Sequence, residues 1–145
     1  MKPVLPISRK QIEALIPHRY PFLLVDEVIE LEPGTRIVAI KHISDDDPVL
    51  AGHFPGNPVY PGVYQVEGLA QAAAILGKFN DSVEGNEIFL TEINSARFRR
   101  IVKPGDILKY EVTFEKHRAP FFWFVGKAYC GDDLAVQVRL SAKMP

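Results

Sequence analysis

Pro61-Gly62-Val63-Tyr64-Gln65-Val66-Glu67-Gly68-Leu69-Ala70-Gln71-Ala72-Ala73-Ala74-Ile75-Leu76-Gly77, residues 61 to 77, decides the architecture. Pro61 suits the first helical position, where its missing N–H costs nothing, and Gln71 to Ala74 are good helix formers. Glu67 is the only charged residue in the stretch. A helix that is apolar on nearly all sides is buried on nearly all sides. No second long helix is predicted, so the burying layer must be a sheet that wraps this one. The expected class is α+β, one long central helix held by a curved antiparallel sheet.

The flanking sequence supplies the strands. Ser8 reads as an N-cap for a short helix carrying Ile12, Leu15 and Ile16, which Pro17 stops. Pro17 to Pro21 form a stiff turn. Residues 22–31 and 37–43 read as strands joined at Pro33-Gly34, and Asp45 to Pro48 form a polar loop. Residues 52–60 hold too much proline and glycine for regular structure. After the helix, residues 88–98, 109–115, 121–129 and 134–141 read as strands, with turns at Pro104-Gly105-Asp106 and Gly131-Asp132-Asp133. Phe121 to Val125 are apolar on both faces, so both faces should be covered, and a spare apolar face points to an oligomer.

At 145 residues the chain is expected to form one domain, residues 1–145, with a full core. A formal net charge of −1 gives no electrostatic case for nucleic acid. No apolar run reaches the length of a membrane span, and no signal-peptide core is present, so membrane insertion is not expected. The single Cys130 can form no internal disulfide and suggests no metal site. These features fit a reduced cytoplasm.

Three neighbouring elements could carry chemistry. His53 lies in Gly52-His53-Phe54-Pro55-Gly56, where glycine and proline restrict the backbone and aim one imidazole. The plain alternative is a tight connection that happens to contain histidine. Glu67 is stronger, because a buried carboxylate without a cation must be paired, protonated or functional, and its helix offers no lysine or arginine. Burial would raise its pKa and make it a proton donor near neutral pH. Its structural alternative is a hydrogen bond to Gln71 one turn on, or to a strand backbone. Gly62 opens the helix, where unpaired N–H groups at the positive dipole end can receive a developing oxyanion. Its plain role is to permit the turn after Pro61. His42 and His117 have no supporting context.

Residues 15–26 (Leu-Ile-Pro-His-Arg-Tyr-Pro-Phe-Leu-Leu-Val-Asp), 52–63 (Gly-His-Phe-Pro-Gly-Asn-Pro-Val-Tyr-Pro-Gly-Val), 67–71 (Glu-Gly-Leu-Ala-Gln) and 96–106 (Ala-Arg-Phe-Arg-Arg-Ile-Val-Lys-Pro-Gly-Asp) carry a family resemblance. In order and spread they resemble the (3R)-hydroxyacyl-[acyl-carrier-protein] dehydratases of type II fatty-acid synthesis. The resemblance implies a hot-dog fold and dimers, commonly trimers of dimers. It also implies a shared active site, with His53 of one chain working beside Glu67 of its partner. A glutamate rather than an aspartate on the helix favours the simple dehydratase over the dehydratase–isomerase branch. His18 and Arg19 match the family's N-terminal block, where their expected job is structural. The chain departs from the family at Gly68, usually alanine, at Tyr64, where leucine is frequent, and at Phe89, near a channel-gating tyrosine of many relatives. A glycine at 68 is expected to loosen the helix by roughly 1 kcal/mol relative to alanine.

On this reading the thioester carbonyl accepts a hydrogen bond from the Gly62 N–H, His53 removes a C2 proton, and protonated Glu67 donates to the leaving C3 hydroxyl. Gln71 orients Glu67. No metal or organic cofactor is expected, since the thioester is the electron sink. Alanines 72 to 74, with Phe89 and Phe98, either line an acyl tunnel or pack the core. The implied partner is an acidic acyl carrier protein bearing a 3-hydroxyacyl-phosphopantetheine, for which Arg97, Arg99, Arg100 and Lys103 form the basic patch. Alternation places Arg97 and Arg99 on one face and Arg100 opposite. Three other readings compete: a dehydratase of a polyketide, lipid A or other dedicated pathway, a hot-dog thioesterase using Glu67 to activate water, and a non-catalytic acyl-carrier-protein binding module.

Overall fold

The computed structural model describes residues 2–85 and 87–145. Its order is α1 (Arg9–Glu13), β1 (Glu27–Glu32), β2 (Arg36–His42), a 3-10 turn (Pro48–Ala51), α2 (Gly62–Gly77), β3 (Phe89–Phe98), β4 (Ile107–Arg118), β5 (Phe121–Cys130) and β6 (Asp133–Lys143). All strand pairs are antiparallel, in the order β1-β2-β4-β5-β6-β3. Helix α2 lies on the concave face against β2, β4, β5 and β6. Twelve of its residues are buried, including every one from Gly68 to Gly77. The sheet therefore wraps the helix as its composition requires, and this is a hot-dog fold.

Ser8 caps α1 through a reciprocal capping box with Gln11, as its position before an apolar repeat indicated. Pro61 is the N-cap of α2 rather than its first helical residue, a shift of one position. The polar loop after β2 runs into the 3-10 turn, which Asp47 caps through the Val49 N–H. Alternation along β5 is clean on its inner side, where Phe122, Phe124, Gly126, Ala128 and Cys130 are buried.

Three expectations need correction. Residues 22–26 do not belong to a strand. Their backbone is held by the Gln71 side chain, which accepts from the Leu24 N–H at 2.8 Å and donates to the Phe22 carbonyl at 2.8 Å. The spare apolar face is not chiefly on β5, where Trp123 and Val125 are half-buried and Lys116 lies 4.6 Å over the Trp123 ring. It lies on the terminal strand β3, all ten residues of which are exposed, with Phe89, Leu90, Ile93 and Phe98 among them.

The third correction concerns Gly68. A Cβ there would stand 2.3 Å from the Tyr110 hydroxyl and 2.5 Å from Cζ of the same ring. Tyr110 is fully buried, so its ring has nowhere to go. Glycine at 68 is thus the condition for tyrosine at 110, and the helix propensity it forgoes is outweighed by the clash it avoids. Gly68→Ala is expected to destabilise the protein by about 1–3 kcal/mol despite alanine's better propensity. In Tyr110→Leu the same change should cost less, which a double-mutant cycle of urea unfolding would measure; equal costs in both backgrounds would refute the contact.

Candidate active site

The loop before α2 is built by backbone pairing. The His53 N–H donates to the Leu50 carbonyl, the Val59 N–H to the His53 carbonyl, and Phe54 and Asn57 exchange two bonds across a turn completed by Gly56 at φ +75°. Tyr60 then ties the exit to Val102. Among the described residues this scaffold gives the half-buried His53 ring one hydrogen bond, Nδ1 to the Val59 carbonyl oxygen at 2.7 Å, beside the Phe54 ring at 4.0 Å. A carbonyl only accepts, so Nδ1 carries the hydrogen and Nε2 keeps its lone pair. The Gly-His-Phe-Pro-Gly signal thus corresponds to an imidazole whose tautomer is set by main chain.

Glu67 sits one and a half turns into α2, and its side chain is 23% exposed. Burial pushes its carboxyl above the ordinary glutamate value, and a hydrogen bond from Gln71 opposes that rise without cancelling it. Gln71 Nε2 reaches Glu67 Oε2 at 2.9 Å. The orientation of that amide follows from its surroundings: Oε1 must face the Leu24 N–H, which leaves Nε2 for the Phe22 carbonyl and for Glu67. Gln71 therefore joins the 22–24 segment to the acid. Both readings of Glu67 that the sequence offered, a bond to Gln71 and a raised pKa, hold at once.

Gly62 is the first residue of α2, and among the described residues no group accepts from its N–H. A Cβ at this position would lie 2.5 Å from the Phe98 ring, so the glycine also admits a ring from β3. Phe98 faces the concave side, because it pairs with the buried Val136. Phe89 is at the opposite end of the same strand, roughly 30 Å away at ordinary strand rise, so Phe89 and Phe98 do not meet within one chain. Ala72 and Ala73 are completely buried in the core.

Among the described residues, neither a hydrogen bond nor an ion pair joins His53 to Glu67 within the chain. What Glu67 does meet is His18, whose Nε2 is 3.8 Å from Oε2. Sequence reading assigned His18 a structural job. Only its place in the 15–26 block hinted otherwise, since contact with α2 depends on how Gln71 docks that segment.

The basic patch divides. Arg97 and Arg99 line one shallow depression with Ser95, Gln137 and Arg139, as alternation indicated. Arg100 turns elsewhere, bonding Asp133 at 2.8 Å and lying 3.9 Å from Asp106. Lys103 is exposed and forms no ion pair among the described residues. Arg139 is the member that sequence reading missed, brought in from β6 by the register that sets Ser95 opposite it. No group of side chains with metal-binding composition and no helix long and apolar enough to cross a membrane occurs among the described residues.

Comparison with known proteins gives a consistent family. Residues 16–139 match the FabA-like domain. A protein of Nitratiruptor sp. named 3-hydroxyacyl-[acyl-carrier-protein] dehydratase FabZ is 44% identical, over 91% of this chain and 93% of its own. Proteins of the same name from Chloroflexus aggregans and Verminephrobacter eiseniae are 45% and 48% identical, each over about nine-tenths of both chains. In three dimensions the chain is similar to the dehydratase heterocomplex ApeI:P of Xenorhabdus doucetiae, with a TM-score of 0.81 at 20% identity, covering 99% of this chain and 93% of that one. The PaaI protein of the E. coli phenylacetic acid degradation operon superposes with a TM-score of 0.63 at 14% identity, covering 80% of each chain. At such identities these two structures bear on the fold alone.

The raised pKa of Glu67 has a consequence for stability. As pH rises, the unfolded chain loses this proton first, so the contribution of Glu67 is complete below roughly pH 4 and is lost as pH climbs through the raised value. His18 behaves oppositely: burial, and then Arg19, depress its pKa, so its contribution is present above roughly pH 6.5 and lost as pH falls through the depressed value. Denaturant unfolding of Glu67→Gln and the parent should therefore show a stability difference that shifts in favour of the variant between pH 4 and pH 8. A difference independent of pH would mean that Glu67 ionises normally.

Proposed function

The chain belongs to the FabA-like domain family, and we propose that it dehydrates (3R)-3-hydroxyacyl-acyl-carrier-protein to the trans-2-enoyl thioester in fatty-acid biosynthesis. The observation that carries this reading is the His53 contact. With Nδ1–H given to the Val59 carbonyl, the free Nε2 lone pair is a base aimed by a rigid loop. Such a base suits removal of the proton at C2, a step that hydrolysis of a thioester does not include.

The other groups fit complementary roles. The unpaired Gly62 N–H at the start of α2 receives the thioester oxygen as it gains charge, which acidifies C2. His53 Nε2 takes the C2 proton, the C2–H electron pair forms the C2=C3 double bond, and the C3–O bond breaks. Glu67 gives its proton to the departing oxygen, so one water leaves and Glu67 is left as carboxylate for recharging. Its buried setting keeps it protonated beforehand, and Gln71 keeps it pointed. Phe98, against Gly62, borders the thioester end of the acyl chain. Phe89, at the far end of β3, belongs to a more distant part of the acyl path.

Because His53 and Glu67 do not meet within the chain, the site is completed by a second copy. The outer edge of β3 has no strand partner and its residues are exposed, a combination that invites pairing with another β3. We read the unit as a homodimer, assembling further as a trimer of dimers, with His53 of one protomer facing Glu67 of the other. The exposed Arg97, Arg99 and Lys103 suit an acidic carrier protein. Arg100 is occupied by Asp133 and contributes less.

The deciding assay is mass-spectrometric detection of water loss from 3-hydroxyacyl-carrier-protein substrates. His53→Ala and Glu67→Gln are each expected to fold and to lose roughly 10²- to 10⁴-fold in turnover. Free acid in place of enoyl product would mean a thioesterase, and binding without conversion a carrier-protein module. Independently, Ile93→Asp on β3 should yield a folded monomer in analytical ultracentrifugation with little activity. An Ile93→Asp protein that stays dimeric and active would place the interface elsewhere.

A further inference from the structure

His18 is an ionisable side chain whose neighbour in the structure differs in kind from what its sequence setting suggested. Its Nε2 stands 3.8 Å from Glu67 Oε2, with the two side chains 14% and 23% exposed. The other ring nitrogen, Nδ1, is buried and has no hydrogen-bond partner among the described residues. A buried N–H without an acceptor is rarer and costlier than an acceptor without a donor, so the hydrogen belongs on Nε2. That nitrogen faces a carboxyl oxygen, which favours the same tautomer.

The ring is biased toward its neutral form by burial first, and then by the nearby Arg19. Arg19 itself is engaged elsewhere, its guanidinium donating to the carbonyls of Ile16, His18 and Glu13. Among the described residues His18 is the only ionisable group within ion-pairing distance of Glu67 from any element packed on it, and Gln71 is its only other polar neighbour. Glu67 Oε2 thus accepts from Gln71 at 2.9 Å and has His18 Nε2 3.8 Å away, while among the described residues Oε1 has no such neighbour.

We infer that His18 is a positioning residue for the acid: with Gln71 it claims Oε2, so that the transferable proton resides on Oε1 and is presented in one direction. At 3.8 Å the contact is longer than a formed hydrogen bond, so His18 acts on the carboxyl through a small approach of the two side chains. The purpose of this arrangement rests on the dehydration reading; its geometry does not. An unpaired buried Nδ1 is also hard to reconcile with a residue kept for packing alone. Leucine would fill similar space with no orphan nitrogen, so the imidazole is retained at a cost to stability.

The test compares His18→Leu, which keeps the volume and removes the donor, with His18→Gln, which restores an N–H at similar reach. The readout is the titration of the Glu67 side-chain carboxyl by ¹³C NMR, in the full-length oligomer without substrate, with the signal assigned through its loss in Glu67→Gln. Removing a donor that favours the carboxylate should move the midpoint up by about one pH unit in His18→Leu, while His18→Gln stays near the parent. The melting temperature of His18→Leu should equal or exceed that of the parent. An unmoved or lowered midpoint in His18→Leu, an equal shift in His18→Gln, or failure of His18→Leu to fold would each overturn the assignment. Turnover separates the two readings: a parent that releases no water defeats the dehydratase while leaving the titration intact. With turnover present, His18→Leu should lose roughly tenfold in kcat with KM nearly unchanged.

Discussion

Everything in this molecule follows from burying a helix that carries one uncompensated carboxyl. Helix α2 is buried along most of its length, and the half-buried Glu67 side chain is left 23% exposed, with much of its solvating water removed. A charged carboxylate in such a place needs a cation, and among the described residues no lysine or arginine is within ion-pairing distance. The chain supplies the Gln71 amide N–H instead, which orients the carboxyl without neutralising it. Burial then prevails, and the group is biased toward its protonated form. Stability and the proposed chemistry are thereby opposed at one residue: the environment that would suit Glu67 to act as an acid also makes its ionisation costly to the fold.

Gln71 links that constraint to the remainder of the structure. Its side chain makes three hydrogen bonds, two of them to the backbone of residues 22 and 24. Those bonds replace the strand pairing that the apolar run from Phe22 would otherwise seek. They also bring the preceding turn, with His18, against the acid. The same side chain that positions Glu67 therefore decides why residues 22–26 are not a strand and why His18 lies where it does.

Much of the fold was legible because it depends on local pattern. The charge-free stretch from Pro61 to Gly77 implied a buried helix, and alternation after Ile107 implied the β4-β5-β6 meander. His53, Gly62, Glu67 and Gln71 were legible as well, each marked by a residue type out of keeping with its surroundings. What escaped reading depends on long-range contact. Gly68 looks like a weak point in a helix until Tyr110 is found beneath it. Arg100 looks like one more basic residue until Asp133 of β6 claims it. The exposure of β3 was not read from its composition: Phe89 and Phe98 read as lining an acyl tunnel or packing the core, and with Leu90 and Ile93 they are exposed on a strand at the sheet edge.

The central claim is that His53 and Glu67 take a proton from C2 and give one to the C3 oxygen, leaving the thioester carbon untouched. Running the reaction in ¹⁸O-enriched water, with a 3-hydroxyacyl-carrier-protein as substrate, tests it most directly. Reversible loss and return of water should place ¹⁸O at C3 of the recovered hydroxyacyl thioester, with none in a carboxylate and no label in Glu67→Gln. Label appearing in released fatty acid, with C3 unlabelled, would contradict the account, because it would mean that the thioester carbon and not C2 is the point of attack.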